Sequence, residues 1–256
     1  MIDLVRAEKF AIWIAERAGK LILENKNKIE ITEIKDKQDF CTNVDLKSEK
    51  LIIDAIKKEY PDHVIISEEI GKVDKKSDYA WIIDPIDGTK NFMRNMPMFC
   101  VSIALQFSGE TIVGVVFNPL AQMTFHARNG GGTRLNGHKI KVSGIKKLDH
   151  SYVYIDSGKI YGLNETDRKK ALERLNILIT SVFRVHSYGS GALGLCHLAQ
   201  GSYDIYFDIT GFTKLVDVAA GSIIVKEAGG TFSEMDGHFL ATNGHLEKKV
   251  IELLKV

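Results

Sequence analysis

At about residue 150 the chain changes rhythm, and that change constrains its architecture more than any other feature. Beyond it, strand-like runs at Tyr152 to Ile155, Val182 to Ser187, Tyr203 to Asp208 and Thr231 to Ser233 alternate with helix-like ones at 165–180, 192–200, 217–228 and 245–255. Such alternation predicts βαβ units, in which helices cover a largely parallel sheet. Before residue 150 the pattern is different. Leu4, Ala7, Phe10, Ala11, Ile14, Ala15, Ala18, Leu21 and Ile22 form the apolar stripe of an opening helix. A second stripe, Leu51 to Ile56, follows Thr42-Asn43-Val44-Asp45, whose Thr-x-x-acid spacing suits a helix start, and ends near Tyr60-Pro61. Strand-like runs at 64–66 and 80–83 end in carboxylates, and 99–107, 111–117 and 123–127 read as an antiparallel meander, with turns at Gly130 to Gly132 and Asn136-Gly137. We therefore expect an α+β unit over 1–145 and an α/β unit over 146–256. Without a low-complexity linker or fixed repeat between them, the two should share an interface.

Composition removes several classes of function. The 34 Lys and Arg nearly cancel the 33 Asp and Glu, leaving a formal charge of +1, so no overall field favours a nucleic-acid polymer or an anionic membrane. Useful charge must be local. Cys41, Cys100 and Cys196 are odd in number and widely spaced, which argues against a disulfide framework or structural zinc and for buried, reduced thiols. The first twenty residues carry frequent charges, and no apolar run approaches the ~18 residues of a membrane span. The expectation is a cytoplasmic protein without a membrane anchor.

The chemistry concentrates in Trp81-Ile82-Ile83-Asp84-Pro85-Ile86-Asp87-Gly88-Thr89. A buried-type strand delivers Asp84, Pro85 stiffens the turn, and Asp87 follows three residues on. Two carboxylates on one rigid turn repel unless a cation lies between them, and hard ions such as Mg²⁺ take carboxylate and carbonyl oxygens. The plainer alternative is a turn at Asp87-Gly88 beside a solvated strand-end acid. Two further acidic sites strengthen the cation reading. Ser67-Glu68-Glu69 closes another strand, and Asp217 opens the apolar helix from Val216 to Ala228; a solvated pair and a helix-start acid are their plainer readings.

Taken in order, Asp39-Phe-Cys-Thr42-Asn-Val-Asp45, Ser67-Glu68-Glu69, Asp84-Pro-Ile-Asp87-Gly-Thr89-Lys-Asn-Phe92 and Val216-Asp217-Val-Ala-Ala-Gly221 resemble the inositol monophosphatase family of Mg²⁺-dependent, lithium-sensitive phosphatases. The likeness spans nearly the whole chain and is nearest to the archaeal members that act on inositol monophosphate and fructose-1,6-bisphosphate. It implies a layered αβαβα sandwich of the sugar phosphatase type with two closely packed halves, two or three Mg²⁺ per site, and a homodimer. Position by position, it implies metal ligation by Glu68, Asp84, the Ile86 carbonyl, Asp87 and Asp217. Catalysis would fall to Thr89, Asp45 and Glu68, with Thr89, oriented by Asp45, positioning the attacking water. Contacts to a small phosphate ester would come from Asp87, Gly88, Thr89, His186, Gly189, Ser190, Gly191, Asp208 and Lys214, with Arg184 a further candidate for a second phosphate. Ser67 stands where the family often has Gly, Val216 where many members have Trp, and the stretch from Asp208 to Asp217 is longer than in the animal enzymes. These departures spare the ligands and bear on the substrate. A 3′-phosphoadenosine-nucleotide or NADP phosphatase on the same scaffold is the nearest alternative.

One motif competes. Gly189-Ser190-Gly191-Ala192-Leu193-Gly194 fits G-x-G-x-x-G between a strand and a helix, with Asp208 about twenty residues on, as a dinucleotide-binding turn requires. Only 48 residues follow Asp208, too few for most of a doubly wound domain, and this reading leaves Asp84 to Thr89 unexplained. A nucleotide-binding protein without hydrolysis is therefore the alternative from another class, with an inactive interaction protein a third.

Overall fold

The computed structural model describes residues 2–37 and 39–255. In chain order the elements are α1 (Leu4–Asn25), β1 (Ile31–Asp36), β2 (Asp39–Thr42), α2 (Asn43–Glu59), β3 (Val64–Ser67), β4 (Gly71–Val73), β5 (Tyr79–Asp87), α3 (Thr89–Met93), β6 (Cys100–Phe107), β7 (Glu110–Asn118), β8 (Met123–Arg128), β9 (Gly132–Leu135) and β10 (His138–Lys139). They continue with β11 (Tyr152–Asp156), α4 (Glu165–Ser181), β12 (Arg184–His186), α5 (Gly191–Ala199), β13 (Ile205–Asp208), α6 (Leu215–Glu227), β14 (Thr231–Met235), β15 (His238–Thr242) and α7 (Glu247–Leu254).

The elements stack as a five-layer α/β sandwich, and strand alternation dictates the stacking. An eight-stranded sheet in the order β10-β9-β8-β7-β6-β5-β3-β4 and a five-stranded sheet in the order β12-β11-β13-β15-β14 enclose α5 and α6. Trp81, Ile83, Ile103 and Val115 point outward from the large sheet onto α1 and α2. Their neighbours Ile82, Ala104 and Val116 point inward onto α5 and α6, where Tyr154, Tyr206 and Ala241 arrive from the small sheet. Val153, Ile155, Ile205 and Phe207 face the other way, onto α4 and α7. The middle core thus draws on both sheets.

The meander lies as expected, with β6, β7 and β8 neighbouring and antiparallel. In the small sheet β11 is flanked by parallel β12 and β13, whereas β15 joins antiparallel and pairs with β14. Helix α2 starts with the capping box foreseen at Thr42 and Asp45. All three cysteines are free and buried. Among the described residues no helix is long and apolar enough to cross a membrane.

Two parallel pairings position the site. β3 and β5 run in the same direction, with Ser67 opposite Ile83, so both strands deliver their terminal acids to one edge of the large sheet. β11 and β13 also run together, with Asp156 opposite Asp208, and end where α5 and α6 begin. Ligands of α/β sheets gather at such carboxyl ends.

Candidate active site

Asp84 is 1% exposed, and its Oδ1 accepts a hydrogen bond from Ile86 N at 3.0 Å, which closes the turn that Pro85 stiffens. One oxygen each of Glu68, Asp84 and Asp217 lie within 4.8 Å of one another. Three carboxylates from β3, β5 and α6 therefore converge. Burial, then the charges of Glu68, Asp87 and Asp217, push Asp84 well above the usual carboxylate range; burial, then Asp87 and Glu68, do the same to Asp217. Asp217 Oδ2 also accepts from Lys214 N at 2.7 Å at the start of α6, so the helix-start role and the convergence coexist.

Asp87 stands outside that trio. Its Oδ2 accepts from Ser190 Oγ at 2.7 Å and Ala192 N at 2.9 Å, which ties the end of β5 to the start of α5. Burial raises its pKa to about 7 against those hydrogen bonds. Gly88 must be glycine: it sits at φ +89°, and a Cβ there would lie 2.6 Å from Met98 O. Thr89 Oγ1 is 3.0 Å from Asp45 Oδ1 and 2.9 Å from Ile86 O, so its single proton has two acceptors. Asp45 Oδ2 accepts from Thr42 N at 2.9 Å and from the Thr42 hydroxyl. Burial outweighs these donors and raises Asp45 to about 6.

Several supports lay beyond the reach of sequence reading. The buried Glu49 carboxylate accepts from the Ser67 hydroxyl and from the amides of Glu69 at 3.1 Å and Ile70 at 3.2 Å, which fixes the turn presenting Glu68. This gives a role to the serine that departs from the family pattern. Lys214 Nζ donates to Glu68 Oε1 at 3.0 Å, and Lys35 Nζ pairs with Glu69 Oε2 at 2.7 Å. Lys159 bridges Asp36 at 2.9 Å and Asp39 at 2.8 Å, and Tyr161 OH donates to Asp36, so β1 and β2 are held against the loop after β11.

These groups surround a cleft of about 150 Å³ whose walls include Glu68, Asp84, Thr89, Asp156, Gly191 and Lys214. Gly88, Gly189 and Asp217 also reach it. Ser190 is buried, with its hydroxyl on Asp87. Three of the expected substrate contacts, His186, Arg184 and Asp208, lie outside the cleft's walls. His186 is exposed on the edge strand β12, with Nδ1 3.1 Å from Tyr203 OH, and Arg184 is exposed on the same strand; neither lines the cleft. Asp208 is fully buried, because its Oδ1 accepts from Thr210 N at 3.0 Å and Gly211 N at 2.9 Å and ties down the turn after β13. Asp156, its partner across the ladder, reaches the cleft instead. A larger groove of about 790 Å³, walled by Glu16, Thr124 and His126, holds no such carboxylate trio among the described residues.

Parallel strand ends, helix starts and converging acids define a layered α/β protein with an oxygen-rich cleft. Residues 3–253 match the inositol monophosphatase family, and the chain belongs to that family of phosphatases. It is 38% identical over 251 residues to Nus factor SuhB of Pasteurella multocida, covering 96% of this chain and 91% of that protein. The extragenic suppressor protein SuhB of Bartonella henselae superposes with a TM-score of 0.91 at 27% identity, over 98% of each chain. An inositol monophosphatase from Anabaena (Nostoc) sp. PCC 7120 gives 0.87 at 30%, over 99% of this chain and 97% of that one. The Pasteurella relative carries the SuhB name, so what is shown is the family and no particular branch of it.

Proposed function

We propose that the protein is a Mg²⁺-dependent phosphomonoesterase acting on small sugar or polyol phosphates, with inositol-1-phosphate and fructose-1,6-bisphosphate as first candidates. The convergence of Glu68, Asp84 and Asp217 carries the reading. A trio of carboxylate oxygens whose most buried member, Asp84, makes no ion pair among the described residues fits a hard divalent ion. Glu68, Asp84 and Asp217 would hold it, with the Ile86 carbonyl and the oxygen of Asp87 not engaged by Ser190. When bound, Mg²⁺ stabilises charge on the phosphate and acidifies water.

The chain's own groups do the rest. Asp45 Oδ1 accepts the Thr89 proton and turns a lone pair of Thr89 Oγ1 toward the cleft, where it orients the attacking water. Lys214, half-exposed on Glu68, supplies a positive charge for a second anionic group. Attack by water without a covalent phosphoenzyme is the reaction assigned. The test is phosphate release from inositol-1-phosphate, fructose-1,6-bisphosphate and a 3′-phosphoadenosine nucleotide, with Mg²⁺ and with chelator. Release from a sugar or polyol ester that chelator abolishes supports the reading; turnover unaffected by chelator contradicts it, and preference for the nucleotide moves the substrate class. The relative's name, Nus factor, favours a second reading as an interaction protein, which absence of release from every ester would support.

A further inference from the structure

We propose that Asp156 is a specificity-determining residue that accepts hydrogen bonds from substrate hydroxyls, so that the cleft selects polyhydroxylated esters over plain ones. The inference rests on the phosphatase reading and extends it to a residue that the motifs did not mark.

Alternation along β11 and β13 places Tyr154, Asp156, Tyr206 and Asp208 on the face toward α5 and α6, and the two acids stand level at the strand ends. Asp208 is consumed by its turn. Asp156 is only half-buried and lines the cleft. A carboxylate offers about four acceptor positions. Asp156 uses two with the protein, both long: Gly158 N at 3.2 Å on Oδ1 and Tyr206 OH at 3.3 Å on Oδ2. Asp156 lines the cleft with acceptor capacity to spare, and a hydroxyl is a matching donor for it.

The neighbouring acid sharpens the demand. Asp208 Oδ2 is buried with no hydrogen-bond partner among the described residues, and its charge raises the pKa of Asp156 beyond what burial alone does. Lys90, which lines the same cleft, offsets part of that charge, and an incoming O–H group adds a donor to the acceptor positions left. Gly191 sets the distance to the reacting end: a Cβ there would lie 3.2 Å from Asp156 Oδ2 and 3.5 Å from Asp217 Cβ. The two acids thus flank one glycine, and an ester with its phosphate at Asp217 lays its carbon skeleton against Asp156.

The experiment compares inositol-1-phosphate with phenyl phosphate, which has no free hydroxyls on its skeleton, using Asp156→Asn and Asp156→Ser with thermal melts alongside. Asn keeps the size and exchanges an acceptor for a donor. The expected result is a KM for inositol-1-phosphate raised about 10-fold or more at nearly unchanged kcat, a kcat/KM for phenyl phosphate within about 2-fold of wild type, and unchanged melting. Equal losses on both substrates, or none on either, overturn the assignment. If wild type releases phosphate from neither of these, nor from fructose-1,6-bisphosphate or the 3′-phosphoadenosine nucleotide, the phosphatase reading fails and takes this inference with it, an outcome visible before any variant is made.

Discussion

Asp84 shows at the scale of one residue why a buried acid is a burden to the fold. Its folded pKa is raised above that of the unfolded chain, so the metal-free folded state holds a proton that the unfolded chain gives up, and stability falls as pH rises from about 4. Asp87 and Asp217 add to this in the same direction, Asp87 up to about pH 7. Asp84→Asn keeps an acceptor for Ile86 N and deletes the charge. In the presence of chelator it should melt above wild type at pH 8 and close to it at pH 4, while its phosphate release in Mg²⁺ falls at least about 100-fold. A variant that melts lower at pH 8 would show that burial of the charge is not costly. Gly88→Ala tests the turn: φ +89° and a 2.6 Å clash predict a loss of about 1–3 kcal/mol, read in denaturant melts. Much of this was legible beforehand. The Asp84 to Thr89 spacing announced the turn, and Glu68 and Asp217 announced themselves at a strand end and a helix start. Glu49 was not legible, because it sits between Ser48 and Lys50 on a helix and nothing local marks it as the group that fixes the 67–70 turn.

At the scale of elements, two contacts hold structure that periodicity does not show. The β1 and β2 hairpin escaped the sequence reading because Ile31 to Asp36 is exposed on both faces for four residues and so lacks the alternation that betrays a half-buried strand. The hairpin is held by Lys159 and Tyr161. Lys159→Met should speed amide exchange across 31–36 and 39–42 while the melting temperature moves little, since partly exposed ion pairs contribute only about 0–1 kcal/mol. β15 was missed although Asp236-Gly237, both at positive φ, is a hairpin turn signal. Helix α1 is tied to β8 by the buried Glu8, whose carboxylate meets His126 at 2.8 Å and Arg128. Burial alone would raise the Glu8 pKa, but these two partners reverse the effect and the net shift is downward. Its stabilisation is therefore present above the unfolded value near 4.3 and lost as pH falls through the folded one. Glu8→Gln should cost about 2–4 kcal/mol at pH 7, less than a fully buried pair because over a quarter of the Arg128 side chain stays exposed, and the gap to wild type should narrow on acidification.

Across the whole molecule, one middle layer serves both sheets and the cleft. α5 and α6 bury their small residues between the sheets, and their first turns carry Gly191, Ala192 and Asp217 to the place where β3, β5 and β11 end. The alternation read beyond residue 150 is present in the element order from β11 to α6. It was silent on how the halves pack, which depends on Ile82 and Tyr154 facing one another's layer. The neutral net charge likewise concealed the site, since one acidic pole averages out over 256 residues. On the proposed function, that pole would make Mg²⁺ binding a proton exchange, since the raised acids have protons to give up. Titration calorimetry of Mg²⁺ into the protein near pH 7, repeated in two buffers of different ionisation enthalpy, measures this directly. Saturable binding with net proton release, lost in Asp84→Asn, is the result the account predicts; no binding, or binding unchanged in Asp84→Asn, would contradict it.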